Sequence, residues 1–318
     1  MIMITYPNVK VNIGLNVLRK RQDGYHDIET LFYPYSDIHD VLEIVEGDDF
    51  SRTSQHLFSI YGNAGAPVAD RTVSPFSMSA GGTEDSCILN GIAAHDGEPR
   101  RIRQDISEDG KLMITIARKE GVDWEPLHDL CAKAYRLLDN DFGLPPVKIF
   151  LEKLAPVGAG LGGGSSDAAA TLRMLSEMFS LALDENALAG YAARLGSDCA
   201  FFIYNRPMFG EGRGEILSDC TFSDISGYDL KVLSPEGISV STADAYRGIV
   251  PGIPAMPLKE ALQHPVEEWP DLVTNDFEKT VFAAHPQLAA IRQSLYDSGA
   301  VYASMSGSGS SLFAIYRR

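Results

Sequence analysis

Between Asn8 and Leu15 the chain alternates without a break: Val9, Val11, Ile13 and Leu15 fall on one side, Lys10, Asn12 and Gly14 on the other. A period of two sends successive side chains to opposite faces, so this stretch predicts a strand with one buried face. DVLEIV, Asp40 to Val45, reads as a second strand. HDLCAKAYRLLDNDFG, from His128, reads as a helix closed by Gly143, and LPPVKIFLEKL as the strand after it. A glycine run follows, then a helix over about Asp167 to Leu181 and another from the cap Asp184 to Leu195, stopped by Gly196.

Past GSDCAFFIYNRPMFGEGRGEIL the character changes. YDLKVLSP, STADAYRGI, helical patterns at Leu258 to Leu262 and Pro286 to Ser298, and VYASMSGSGSSLFAIY mix strands with helices. This predicts an α+β fold in two domains, 1–210 and 211–318, divided near Gly210. Gly47 to Glu125, rich in Ser, Gly and Asp, reads as an insertion of partial order, with SEDG a hairpin turn between RRIRQDI and KLMITIARK.

Composition narrows the function. A formal charge of −16 over 318 residues argues against nucleic acid or an anionic membrane as the main partner, because both reward a basic footprint. The four cysteines show no Cys-x-x-Cys spacing, which disfavours a zinc site and a disulfide framework. No secretion signal or run near the roughly 18 apolar residues of a spanning helix is visible, so a reduced, soluble, cytoplasmic protein is expected.

The chemistry concentrates in PVGAGLGGGSSDAAATLRML, from Pro156, with five glycines in the seven residues Gly158 to Gly164. Backbone without Cβ can take positive φ and bring its N–H groups onto an anion, and a helix N-terminus adds partial positive charge. Together these make a phosphate cradle. Gly158, Gly160 and Gly163 also satisfy G-x-G-x-x-G with Asp184 about 20 residues on, the pattern of a dinucleotide fold, although Asp184 is better explained as a helix cap. A Walker A loop is excluded, since no Lys-Ser or Lys-Thr follows the glycines.

LGSDCAFF (Leu195 to Phe202) and SMSGSGSSLF (Ser304 to Phe313) join the glycine run and the N-terminal strand in a constellation that resembles the GHMP kinase family. NVKVNIGLNVLRKRQDGYHDIETLF, GAGLGGGSSDAA and FGEGRGEIL follow in the family's order, over nearly all the chain except Gly47 to about Glu125. The resemblance implies a first domain like ribosomal protein S5 domain 2 that binds ATP, and a ferredoxin-like second domain. It further implies transfer of the γ-phosphoryl group, with Mg2+, to the 2-hydroxyl of a cytidine diphosphate-linked methylerythritol on the non-mevalonate isoprenoid route, by a monomer or homodimer.

Carried over residue by residue, the resemblance makes Asp198 the base that takes the acceptor's proton, with Lys10 beside it to orient the carboxylate and favour the developing alkoxide. Pro156, Gly158, Gly160, Leu161, Gly162, Gly163, Gly164, Ser165 and Ser166 hold the ATP phosphates, and Ser165 or Ser166 the metal. Asn12 contacts substrate. Tyr25 stacks on the cytosine, His26 hydrogen-bonds it, Thr242 contacts substrate and Tyr246 completes the stacking sandwich. Gly307 and Gly309 of the third motif let the backbone lie close to the glycine loop. Asn8 and Val9 depart from the family's proline and alanine, and Asp129 from an asparagine near the adenine. The alternatives are a mevalonate- or homoserine-type kinase of the family, or a dinucleotide-dependent oxidoreductase.

Overall fold

The computed structural model describes residues 1–47 and 101–318. Among these, twelve strands organise the chain: β1 (Ile2–Thr5), β2 (Asn8–Lys20), β3 (His26–His39), β4 (Val41–Glu46), β5 (Ile102–Ile106), β6 (Leu112–Arg118), β7 (Val147–Lys153), β8 (Met208–Gly212), β9 (Ile216–Ser218), β10 (Tyr228–Leu233), β11 (Tyr302–Met305) and β12 (Leu312–Arg317). By contacts the chain forms two compact units, each assembled from separated segments. The first comprises Met1–Pro7, His39–Leu154 and Asp167–Asp184, the second Asn8–Ile38, Ala155–Ser166 and Glu185–Arg318. A boundary near Gly210 therefore falls inside β8, which pairs with β3 through Gly210 itself, opposite Thr30.

The first unit is a five-stranded sheet in the order β1-β4-β7-β6-β5. β7 lies at its centre, antiparallel to β4 and parallel to β6, and is buried along its whole length. A parallel neighbour requires a crossover. The helix Leu130–Phe142 supplies it, opened by the Asp129 carboxylate accepting from Cys131 N and closed by Gly143 at φ 63°. SEDG is the expected turn, with Ser107 N donating to Leu112 O between antiparallel β5 and β6. Residues 101–118 are thus integral to the sheet and not insertion, because Ile102, Met113 and Ala117 pack with Val45 and Phe150 in one cluster. Of the rest of that expected insertion, 48–100 lies outside the described residues.

The second unit holds a four-stranded sheet, β2-β3-β8-β9, and a three-stranded sheet, β10-β12-β11. Val9, Val11 and Ile13 of β2, all fully buried, join Leu31, Phe209, Trp269, Tyr302 and Phe313 in its main core. Trp269 and Tyr302 meet edge to face at 5.6 Å, a geometry that contributes about 1 kcal/mol beyond the area buried. Leu15 and Val17 continue into a second cluster with Phe277, Val281 and Leu288. The mixture of helices with antiparallel pairings in this unit and a mixed sheet in the other fits the expected α+β class.

Candidate active site

The polar face of β2 is buried as well as the apolar one. Lys10 and Asn12 are 3% and 2% exposed, which corrects the expectation of a single buried face. The reason is coverage by β3, the glycine loop and the third motif, each bonded to this face. Lys10 Nζ donates to Gly160 O at 3.0 Å and to Asn12 Oδ1, and lies 3.4 Å from Asp198 Oδ2. Burial lowers the Lys10 pKa, with the Asp198 carboxylate opposing that shift. Asn12 Nδ2 donates to Thr30 Oγ1, whose single hydrogen goes to Gly14 O. A hydroxyl so committed can only accept from Asn12, so the amide oxygen turns toward Lys10. Asn12, expected to contact substrate, is also the anchor of the lysine.

Gly158, Gly160 and Gly162 adopt φ of 69°, 79° and 72°. At Gly160 the requirement is steric too, since a Cβ there would sit 2.1 Å from the Ser306 carbonyl oxygen. That closeness is bonded, with Ser306 Oγ donating to Gly160 O at 2.9 Å and Ser311 N to Ala159 O at 3.1 Å. The third motif therefore lies against the loop, with Gly307 at the contact and Gly309 behind it against Met305.

The helix after the loop spans Gly163–Met178, a turn earlier than expected, and so takes Gly163, Gly164, Ser165 and Ser166 as its first turn. Ser166 is buried and its N–H bonds Gly162 O, whereas Ser165 lines the cavity and meets the Cys199 thiol, which burial pushes up to about 11. Leu161 points into the apolar core, and Pro156 stands before the loop, half-buried.

Asp198 precedes the short helix Cys199–Tyr204 without capping it, so its carboxylate is left for other partners. It lines a cavity of about 340 Å³ together with Lys10, Asn12, Gly158, Gly160, Gly162, Ser165, Thr242, Tyr246 and Gly307. Most of the residues singled out from separate motifs thus meet in one place, all within the second unit. A larger cavity of about 520 Å³, lined by Asp276, Glu278, Lys279 and Arg292 among others, contains none of them.

The aromatic expectations need correction. His26 itself stacks on Tyr246, with centroids 4.7 Å apart and planes at 17°, and Tyr25, 56% exposed, lies under the guanidinium of Arg213 at 5.0 Å. Tyr25 and Tyr246 are therefore not the two sides of an open sandwich here. Burial, and then Lys20, lower the His26 pKa, which leaves a neutral imidazole with one donor and one acceptor near pH 7. Thr242 Oγ1 lies 3.2 Å from Ser308 Oγ. Phe32, Ser197, Ser308 and Arg213 also line the cavity and were not singled out from the sequence. FGEGRGEIL contained the signal for Arg213, a lone cation between two glycines. Asp129, the departure on the adenine side, caps its helix and accepts from Trp124 Nε1 at 3.0 Å.

Among the described residues no group of three or more His, Cys, Asp and Glu is arranged to hold a metal, and no helix is long and apolar enough to cross a membrane. The family model for the GHMP kinases N terminal domain matches residues 129–206, and that for GHMP kinases C terminal matches 258–318. A 4-diphosphocytidyl-2-C-methyl-D-erythritol kinase of Bacteroides thetaiotaomicron is 41% identical, covering 99% of this chain and 92% of its own. One of Cytophaga hutchinsonii is 35% identical over 99% and 92%. A solved 4-(cytidine 5'-diphospho)-2C-methyl-D-erythritol kinase superposes with a TM-score of 0.62 at 26% identity, covering 98% of this chain and 90% of the other.

Proposed function

The chain belongs to the GHMP kinase family, and from that premise we propose that it transfers the γ-phosphoryl group of ATP to the 2-hydroxyl of 4-diphosphocytidyl-2-C-methyl-D-erythritol. The observation that carries this reading is the meeting of Lys10 and Asp198, 3.4 Å apart, in one cavity with Gly158, Gly160 and Gly162. In this reading Asp198 accepts the proton of the acceptor hydroxyl as its oxygen attacks the γ-phosphorus and the bond to the β–γ bridging oxygen breaks, releasing ADP. Lys10 holds the carboxylate in line and offsets the negative charge that gathers on the reacting oxygens. The loop amides and the first turn of Gly163–Met178 receive the polyphosphate.

Mg2+ fits this donor set through Ser165, which lines the cavity, rather than through buried Ser166, and when bound it would neutralise charge on the phosphates. His26, neutral and beside Tyr246, is the partner for the base edge, and Thr242 and Tyr246 are the acceptor contacts. A coupled ADP-release assay tests the assignment. Wild-type protein with Mg-ATP should turn over the cytidine diphosphate alcohol and neither mevalonate nor homoserine, and Asp198→Asn should lower the rate about 10²- to 10⁴-fold. Full activity in Asp198→Asn removes the base from the mechanism. Tight NAD(P) binding without ATP affinity would instead favour an oxidoreductase.

A further inference from the structure

The proposed acceptor carries a diphosphate of its own, apart from the phosphates of ATP, and the cavity has only three charged side chains among its described lining residues: Lys10, Asp198 and Arg213. Asp198 has the wrong sign. An ammonium has three hydrogens, and those of Lys10 face Asn12 Oδ1, Gly160 O and Asp198. None is left for a second polyphosphate. Leaving two phosphate charges in a half-enclosed cavity without a partner is unfavourable, and the remaining cation among those lining residues is Arg213.

Arg213 stands at the tip of the β8–β9 hairpin, where Glu211 pairs with Ile216 and Gly214 N bonds back to Glu211 O. Glu215 fixes it twice. One carboxylate oxygen accepts from the Arg213 backbone N–H and the other from Nε at 3.3 Å. The ring of Tyr25 supports its flat face at 5.0 Å. With Nε engaged, the four hydrogens on the two terminal nitrogens make no hydrogen bond or ion pair among the described residues, although the Asp23 carboxylate is near enough to feel the charge, and the side chain borders the cavity while 41% exposed. A planar fork of N–H donors, held by one edge and one face and open at the other end, matches the oxygens of a phosphate.

We propose that Arg213 is the binding residue for the acceptor's diphosphate, and that it makes the enzyme selective for an alcohol already carrying a nucleoside diphosphate. This rests on the proposed function above for the identity of the acceptor. Tyr25 then serves as the floor of an arginine clamp as well as a neighbour of the base.

The test is direct binding of cytidine, CMP and CDP to the full-length protein by calorimetry at one fixed salt concentration, with no turnover required. Wild type should bind CDP more tightly than cytidine. Arg213→Gln should weaken CDP about 10- to 100-fold and cytidine by less than about 3-fold, and Arg213→Lys should recover part of the loss. Equal weakening of all three by Arg213→Gln would mean that the guanidinium acts only on the base, and unchanged CDP affinity would mean that it acts on neither. Either result overturns the assignment while leaving the kinase reading intact. A wild type that binds none of the three overturns the Arg213 assignment, and the ADP-release assay decides the kinase reading separately. Absence of ADP release alongside the expected loss of CDP selectivity overturns the kinase reading alone.

Discussion

Lys10 places a positive charge where little solvent reaches it, and burial lowers its pKa below the ordinary lysine value of 10.5 against the pull of Asp198. Two consequences differ in sign. Between the lowered value and 10.5 the unfolded chain binds more protons here than the folded one, so this group's contribution to stability rises with pH. The reaction needs the ammonium, so the rate falls over the same window. We predict an alkaline limb in the kcat/KM profile below the ordinary lysine range with no parallel loss in thermal midpoint, and removal of that limb to higher pH in Lys10→Arg. Rate and midpoint falling together would assign the limb to unfolding. Asp198 stands where a helix-capping aspartate would, and what separates the two roles is that its carboxylate bonds no helix amide but accepts from Ser197 Oγ and lies 3.4 Å from Lys10.

At the scale of elements, the glycine loop is shaped by two different demands. Gly158 has φ of 69° and open space within 4 Å of where a methyl group would stand, whereas Gly160, at 79°, has the Ser306 carbonyl oxygen 2.1 Å from that point. Gly158→Ala should therefore cost only the left-handed backbone, about 1–2 kcal/mol. Gly160→Ala should cost more, about 3 kcal/mol, and weaken ATP binding as well, because loop and third motif must separate. Chemical denaturation and nucleotide titration of the two variants check the order, and equal costs would show that the contact with Ser306 does not constrain the loop.

What the chain disclosed in advance follows the range of each interaction. The strand at Asn8, the Gly143 stop, the SEDG turn and the helix at Glu185 are local, set by alternation, caps and turn residues, and these were legible. β3 was not. Its 14 residues carry Pro34 and are buried on parts of both faces, so they show neither clean alternation nor a helical stripe. The glycine loop and the residues Lys10 and Asp198 were found because each sits in a recognisable stretch. Their meeting depends on long-range packing, and so did the pairing of His26 with Tyr246 in place of the expected sandwich. Phe32 reaches the cavity from β3 with no local pattern to announce it, and Arg213 from the tip of the β8–β9 hairpin, where the two flanking glycines mark a turn but not what the turn faces.

Over the whole molecule, each unit carries one of the two tryptophans, Trp124 in the first and Trp269 in the second. The first unit also buries an ion triad in which Lys153 donates to both Asp40 and Asp167. Burial alone would lower the Lys153 pKa, but the two carboxylates raise it, and the ammonium is firmly charged. Lys153→Met removes the ammonium that the two buried carboxylates share and should cost about 3–5 kcal/mol. Fluorescence melts in Trp124→Phe and Trp269→Phe backgrounds should show the larger drop in the transition reported by Trp124; an equal drop at both probes would show a single cooperative transition.

The bonds from Gly160 to Ser306 and from Ala159 to Ser311 also set a timetable for biosynthesis. Lys10 leaves the ribosome long before the backbone around Ser306, which closes over its neighbourhood, is translated. Throughout elongation the nascent polypeptide must carry β2 without its final partners, and a ribosome that stalls before Ser311 yields a product with no assembled centre. Premature termination should therefore leave no partially active fragment, only a client for chaperones and proteases.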